Sequence, residues 1–308
     1  MSPPPLAALL GATGTGKTAT AVEVAERVGG EIVSCDSAQI FRGLDVGTAS
    51  PTPEERRRAP HHLIDVLDAE EQWSAADFAR AADRAIADIR ARGKQPLLVG
   101  GNGLWFRALT RGIFEAPTID PGLRATLREE LRRRGPEALH AELARVDPEA
   151  AARIQPRDSQ RIGRALEVFR QTGTPISALQ AAHGFRERRY RVTGVVLDRP
   201  RAEHRALLAE RTRAMFESGL LAEARAQLDR GVSPEAPGLK AIGYREAVAH
   251  LQGRLSLEVA VERAITATRR YAKRQRNWFR HEPELVWLAA GGPVEETLDG
   301  LRGALGGV

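Results

Sequence analysis

GATGTGKT, residues 11–18, follows directly on the apolar run LAALL (6–10) and precedes the Ala-rich stretch 17–28, whose spacing is helical. It fits G-x-x-x-x-G-K-[ST] at every fixed position. Glycines between a buried strand and a helix let backbone N–H groups converge on anionic oxygens, and the helix adds its positive N-terminal end. This predicts a phosphate-binding loop of Gly11, Ala12, Thr13, Gly14, Thr15, Gly16, Lys17 and Thr18. Lys17 would neutralise the phosphate and Thr18 would offer its hydroxyl to Mg²⁺. An ordinary Gly-rich turn is the plainer alternative, and the agreement of motif with context argues against it. Whose phosphate is bound stays open here, because a nucleoside triphosphate and an organic pyrophosphate present similar oxygens.

Outward from the loop, EIVSC (31–35), LIDV (63–66) and PLLVG (96–100) join LAALL as candidate buried parallel strands. Residues 17–28 and 74–92 read as helices between them, with Ser74 a candidate N-cap. From about 119 to 187 the chain changes to helical segments jointed by proline or glycine. A strand follows at YRVTGVVLD (190–198), then helical stretches at 201–230 and 256–281 and a short strand at LVWL. This predicts an α/β parallel sheet core, residues 1–118 and 188–308, with a helical insertion domain over 119–187. The Gly-rich tail after Gly291 is expected to fray.

A net charge of +6 and a sequence pI near 10.0 permit a polyanionic partner such as nucleic acid. Only Lys17, Lys94, Lys240 and Lys273 are lysines, so an Arg-rich composition inherited from the genome explains the charge equally well. The single Cys35 excludes an intrachain disulfide and a cysteine-cluster zinc site. No stretch approaches the roughly 20 apolar residues of a membrane span, and no cleavable leader pattern precedes the loop. A cytoplasmic protein without a membrane partner is expected. The adjacent His61 and His62 read as structural, since neighbouring residues do not face one metal easily.

EIVSC runs into Asp36, which a parallel sheet places at its active edge. Three roles suit it: a turn cap, a Mg²⁺ anchor, or a general base. PLLVG runs into GGNGLW (100–105) with no acid at its end, leaving Asp65 as the other candidate for the metal-binding acid of an ATPase. That shortage weighs against an ATPase.

GATGTGKT, DSAQIFRGLDVGTASP (36–51), SAADF (74–78), VGGNGLW, SQRIGRALEVFRQTGTPIS, AIGYRE (241–246) and AKRQRNWFR (272–280) together resemble the tRNA dimethylallyltransferases, in order and over nearly the whole chain. The resemblance implies a P-loop-kinase-like core with a helical insertion. It implies transfer of a five-carbon group from dimethylallyl diphosphate to N6 of the adenosine just 3′ of the tRNA anticodon. On this reading the loop and Arg211 hold the donor diphosphate with Mg²⁺, and Asp36 is the base for N6. Ser37, Ala38 and Gln39 would contact the target nucleotide. The family usually shows Thr and Tyr where this chain has Asn102 and Trp105; Asn102 keeps donor and acceptor capacity for the substrate but lacks the methyl group.

Two basic ridges follow from helical spacing: Arg269, Lys273, Arg276 and Arg280, and Arg157, Arg161 and Arg164 beside Gln160. A solvated charged face is the bland reading of either. Both coincide with RNA-contact motifs of the resemblance, which implies tRNA contacts from Arg124, from Gln160, Arg161, Ile162, Gly163 and Arg164, and from Ala241, Ile242, Gly243, Tyr244, Arg245 and Glu246. It implies others from Lys273, Arg274, Gln275, Arg276, Asn277, Trp278, Phe279 and Arg280, although Tyr271 and Trp278 lie on the side expected to anchor the helix. The implied partner is the anticodon stem–loop, bound by a monomer. An adenylate prenyltransferase and a P-loop small-molecule kinase are the rivals, and neither needs two RNA-binding ridges.

Overall fold

The computed structural model describes residues 2–113, 119–183 and 187–305 of the chain. It divides into two compact units, Met1–Thr110 with Arg188–Val308, and Arg111–Glu187. In chain order the first unit opens with β1 (Pro5–Gly11), α1 (Lys17–Val28), β2 (Gly30–Cys35), α2 (Pro53–Arg58), β3 (His61–His62), α3 (Ala75–Ala91), β4 (Gln95–Gly100) and α4 (Gly103–Arg111). The second unit supplies α5 (Pro121–Arg134), α6 (Pro136–Val146), α7 (Pro148–Arg153), α8 (Ser159–Thr172) and α9 (Ile176–His183). The first unit resumes with β5 (Arg191–Asp198), α10 (Arg201–Glu217), α11 (Leu220–Asp229), α12 (Tyr244–Leu251), α13 (Leu257–Phe279), β6 (Leu285–Ala289) and α14 (Val294–Leu305).

The six strands form one parallel sheet in the order β3-β2-β4-β1-β5-β6. The central strands are buried without alternation, Glu31 and Ser34 of β2 included, because helices cover both faces of a parallel sheet. One core cluster joins Ala7, Leu9, Ile32, Leu97 and Val195 of the sheet to Ala21 and Val22 of α1 and Leu301 of α14. Register brings the strand carboxyl ends level, with Cys35 opposite Gly100 and Gly11 opposite Leu197. The residues that follow, Asp36, Asn102 and the phosphate loop, therefore emerge on one edge.

Two expectations fail here. LIDV is not a strand: only His61 and His62 pair with β2, and Leu63 and Asp65 turn the chain away with φ of 63° and 54°. The tail does not fray up to Leu305, because α14 buries Val294, Leu301, Ala304 and Leu305. The stretch 201–230 is two helices, broken where Gly219 adopts φ 128°. Ser74 caps α3 in a reciprocal capping box with Asp77.

The second unit has its own core of Ile119, Leu127, Leu139, Leu143, Ile162, Leu166 and Val168. Buried Asp147 caps α7 through Ala150 N at 2.9 Å and accepts Ser177 N at 3.0 Å. Arg170 crosses from α8 to Glu130 and Glu142 at 2.8 and 2.6 Å.

Candidate functional site

The phosphate loop takes the form its glycines allow. Gly11, Gly14 and Gly16 sit at φ 152°, 79° and 84°, and a Cβ on Gly11 would lie 2.6 Å from Leu197 O. Gly16 caps α1 with no side-chain hydrogen bond, and the first turn carries no acid. Its N–H groups and helix dipole are thus turned to an incoming anion. Lys17 Nζ folds back onto Ala12 O at 2.7 Å. Burial pulls the lysine down to about 8, while Asp36 raises it and Arg211 lowers it further.

The outer side of the loop is braced by groups from distant segments. Thr13 N donates to Gln275 Oε1 at 2.9 Å, and His204 Nε2 donates to Thr13 O at 2.8 Å. Both side chains are nearly fully buried, and burial lowers the His204 pKa against the opposing pull of its bond to Thr13 O. Sequence reasoning missed His204; its one signal is the i, i+4 spacing to Leu208, another buried residue of α10.

Asp36 stands at the end of β2, half-buried, with Oδ1 accepting Ala38 N at 2.9 Å. This Asx turn is the cap expected of a strand-end aspartate, and the Asp36 charge also acts on Lys17, Arg211 and Tyr271. Arg211 of α10 makes no hydrogen bond or ion pair among the described residues, and burial lowers its pKa, with Asp36 opposing the shift. The hydroxyl of Tyr271 is raised by burial first, then by Asp36 and Cys35. The structure thus brings Lys17, Arg211 and Asp36 into one electrostatic group. Asn102 borders it: its N–H donates to Cys35 O at 3.2 Å, and its Oδ1 accepts Trp105 N at 3.2 Å, capping α4. Trp105 points inward and stacks on Phe78 with ring centroids 4.3 Å apart.

Several residues expected at an RNA surface hold the fold instead. Phe279 and Tyr244 are fully buried; the Tyr244 hydroxyl bonds Glu223 and accepts Gly47 N. Ile162 and Gly163 face the core of the second unit. Buried Glu246 accepts Gly243 N at 2.9 Å, and Gln275 spans Thr13 and Gly101. Gln39 spends its amide on Ser34 and Ala49. The indole of Trp278 packs against Gly103, where a Cβ would approach its ring to 2.1 Å. Arg276 is withdrawn from its ridge: its side chain is 10% exposed, and Nε donates to Asp198 Oδ1 at 2.7 Å. Lys273, Arg274 and Asn277 of α13 and Arg280 at its C-cap remain exposed, as do Arg157, Gln160 and Arg161 of the second unit. Arg124 and Arg164 are part-exposed beside Glu167 at 3.3 and 3.4 Å. His62 pairs with Glu31 at 2.7 Å, and hydrogen bonds from Arg92 and then His62 draw that carboxyl down to about 2.

Comparison with known proteins places nearly the whole chain in one family. The family model "IPP transferase" matches residues 39–282. A tRNA dimethylallyltransferase of Anaeromyxobacter dehalogenans is 54% identical over 284 residues, covering 92% of this chain and 94% of the relative. One of Halorhodospira halophila is 47% identical over 308 residues, 99% of each chain. Among solved structures, the tRNA isopentenylpyrophosphate transferase of Bacillus halodurans superposes with a TM-score of 0.71 at 36% identity, covering 97% of this chain and 96% of that one. A eukaryotic dimethylallyltransferase acting on tRNA gives 0.77 at 25% identity over 97% and 77%.

Proposed function

From the premise that the chain belongs to the IPP transferase family, with a P-loop-like fold, we infer the division of labour in its site. It is a prenyltransferase that transfers a dimethylallyl group to tRNA. The donor is dimethylallyl diphosphate, and the acceptor is N6 of the adenosine just 3′ of the anticodon. The observation that carries this reading is the grouping of Asp36 and Lys17 at the strand edge with Arg211 of α10, whose side chain has no partner among the described residues.

The donor diphosphate lies on the phosphate loop, where the free N–H groups at the start of α1, Lys17 and Arg211 stabilise the charge that develops as the allylic C–O bond breaks. The N6 lone pair is delocalised into the adenine ring, so loss of its proton to Asp36 accompanies formation of the C–N bond. Diphosphate leaves with the electrons of the C–O bond. Mg²⁺ fits this arrangement with Thr18 as its protein ligand: the Thr18 hydroxyl makes no hydrogen bond among the described residues, and no cluster of three carboxylate, His or Cys ligands occurs among them. The remaining ligands would be diphosphate oxygens and water, and a bound Mg²⁺ would add positive charge where the leaving group forms.

The exposed cations Arg157, Arg161, Arg274 and Arg280 hold the RNA backbone. A cytoplasmic monomer belongs to the same reading. Among the described residues no helix is long and apolar enough to cross a membrane. Incubation with dimethylallyl diphosphate, Mg²⁺ and an unmodified anticodon stem–loop, read by nucleoside mass spectrometry, should yield one prenylated adenosine. Consumption of ATP with no modified nucleoside would return the chain to the kinase reading.

A further inference from the structure

Most arginines of this chain are spoken for. Arg27, Arg56, Arg58, Arg92, Arg170 and Arg189, for example, each meet a carboxylate within 3.1 Å. One place departs from that habit. A cleft of about 410 Å³ between α10 and α13 is lined by Arg201, Arg205, Arg269, Arg270, Lys273 and Arg276, and no acidic side chain among the described residues lines it. Arg276 is neutralised from behind by Asp198, and Arg269 is used as a latch, donating to Arg205 O at 2.9 and 3.1 Å. The side chains of Arg201, Arg205, Arg270 and Lys273 make no hydrogen bond or ion pair among the described residues, and all four residues are exposed. Their spacing, i and i+4 on α10 and i and i+3 on α13, turns them toward one another.

Four like charges facing one concavity repel, and none of the four has an ion-pair partner among the described residues, although Arg270 also borders a neighbouring cleft that carries Glu246, Glu258 and Glu262. The floor of the cleft includes His204 and Leu208. His204 bonds the phosphate loop at Thr13 O, and Leu208 reaches within 2.7 Å of where a Cβ on Gly14 would stand. The cleft is thus the back wall of the loop that holds the donor.

We propose that this cleft is a second phosphate-anion site, taking inorganic diphosphate or the diphosphate head of the allylic donor beside the catalytic loop. It rests on the reading of that loop given above. It carries no chemistry. Its field gathers a polyanionic donor at the loop and offers the departing diphosphate a place outside it. A cleft lined by one sign of charge raises the association rate of an oppositely charged ligand by about 10–10³-fold, and salt removes the effect.

The test is equilibrium dialysis of inorganic diphosphate with the whole protein at low ionic strength. Two equivalents are expected. Lys17→Ala should leave the cleft's equivalent, and the double variant Arg205→Ala/Arg270→Ala should leave the loop's. The side chains of these arginines are exposed and have no partner among the described residues, and the Arg205 carbonyl that receives Arg269 survives the substitution, so folding is not at stake. One equivalent, lost in Lys17→Ala and untouched in the double variant, overturns the cleft and leaves the loop assignment standing. One equivalent with the opposite sensitivity supports the cleft and overturns the loop assignment. An anticodon stem–loop added to Lys17→Ala separates the two sources of phosphate: retention of the diphosphate supports the proposal. Its displacement would assign the cleft to the RNA backbone and overturn it. In turnover, the double variant should lose about tenfold in kcat/KM for the donor at low salt and little at high salt, with kcat kept.

Discussion

Gln275 Nε2 donates to Gly101 O at 2.9 Å, joining α13 to the turn after β4, across 174 residues of sequence. The same amide holds Thr13 N through its oxygen. One buried side chain thereby fixes the spacing between the phosphate loop and the Asn102 turn. Gln275→Ala leaves the buried Gly101 carbonyl unsatisfied, at a cost of about 1–3 kcal/mol, and frees the part-buried Thr13 N–H. Chemical denaturation should show lower stability, and donor affinity should fall with it. Gln275→Glu keeps the acceptor for Thr13 N but loses the donation to Gly101 O.

Asp36→Asn keeps the turn with Ala38 N but cannot take a proton. Single-turnover rates should drop about 10²–10⁴-fold, with donor affinity nearly unchanged. Rescue of the rate by added Mg²⁺ would identify a metal anchor instead. A loss of about 1 kcal/mol in stability with normal turnover would leave only the cap.

Lys17 titrates near 8 in the free protein, below its unfolded value of 10.5. The donor diphosphate binds the ammonium form, so kcat/KM for the donor should fall up to tenfold per pH unit above about 8. The same depression means that the unfolded chain binds more protons between 8 and 10.5. This group's contribution therefore shifts in favour of folding as pH rises through that window. Lys17→Arg keeps a charge at all these pH values, and whatever activity it retains should lack the step. An unchanged pH profile in that variant would assign the step to another group.

Asn102 accepts Trp105 N at the start of α4. Thr caps helices nearly as well as Asn, whereas Ala does not, and losing a cap costs about 1 kcal/mol. Asn102→Thr should retain stability and substantial turnover; Asn102→Ala should lose both. Equal turnover in all three proteins would limit the side chain to its cap.

Arg161 and Arg276 should part company. The Arg161 side chain is 70% exposed, with Asp158 at 3.5 Å, so Arg161→Ala should reduce the salt slope of stem–loop binding by about 0.7–0.9. Arg276→Ala should leave the slope alone and cost roughly 1–3 kcal/mol of stability, by stranding Asp198 and the Arg199 carbonyl. A changed slope in Arg276→Ala would put that residue back on the RNA surface.

The sequence alone determined what local pattern can encode. Residues 11–18 carry their own backbone conformation in their glycines, and apolar runs without alternation mark the buried strands on either side. The parallel sheet, the P-loop-like core and the edge on which Asp36 emerges follow from those patterns. Helical spacing also set Arg276 on one face with Lys273 and Arg280, but spacing cannot say what lies opposite that face. The partner is Asp198, 78 residues away, and it turns a candidate RNA contact into an internal strut. Gln275 lies amid charged residues and is buried because Thr13 and Gly101 come to meet it. LIDV has the composition of a strand but turns away at Leu63 and Asp65, while the Gly-rich tail becomes a helix because the sheet offers α14 a surface to cover. Only tertiary structure decides such cases, because a polar side chain is buried or exposed according to partners from remote segments, whose approach depends on the packed sheet.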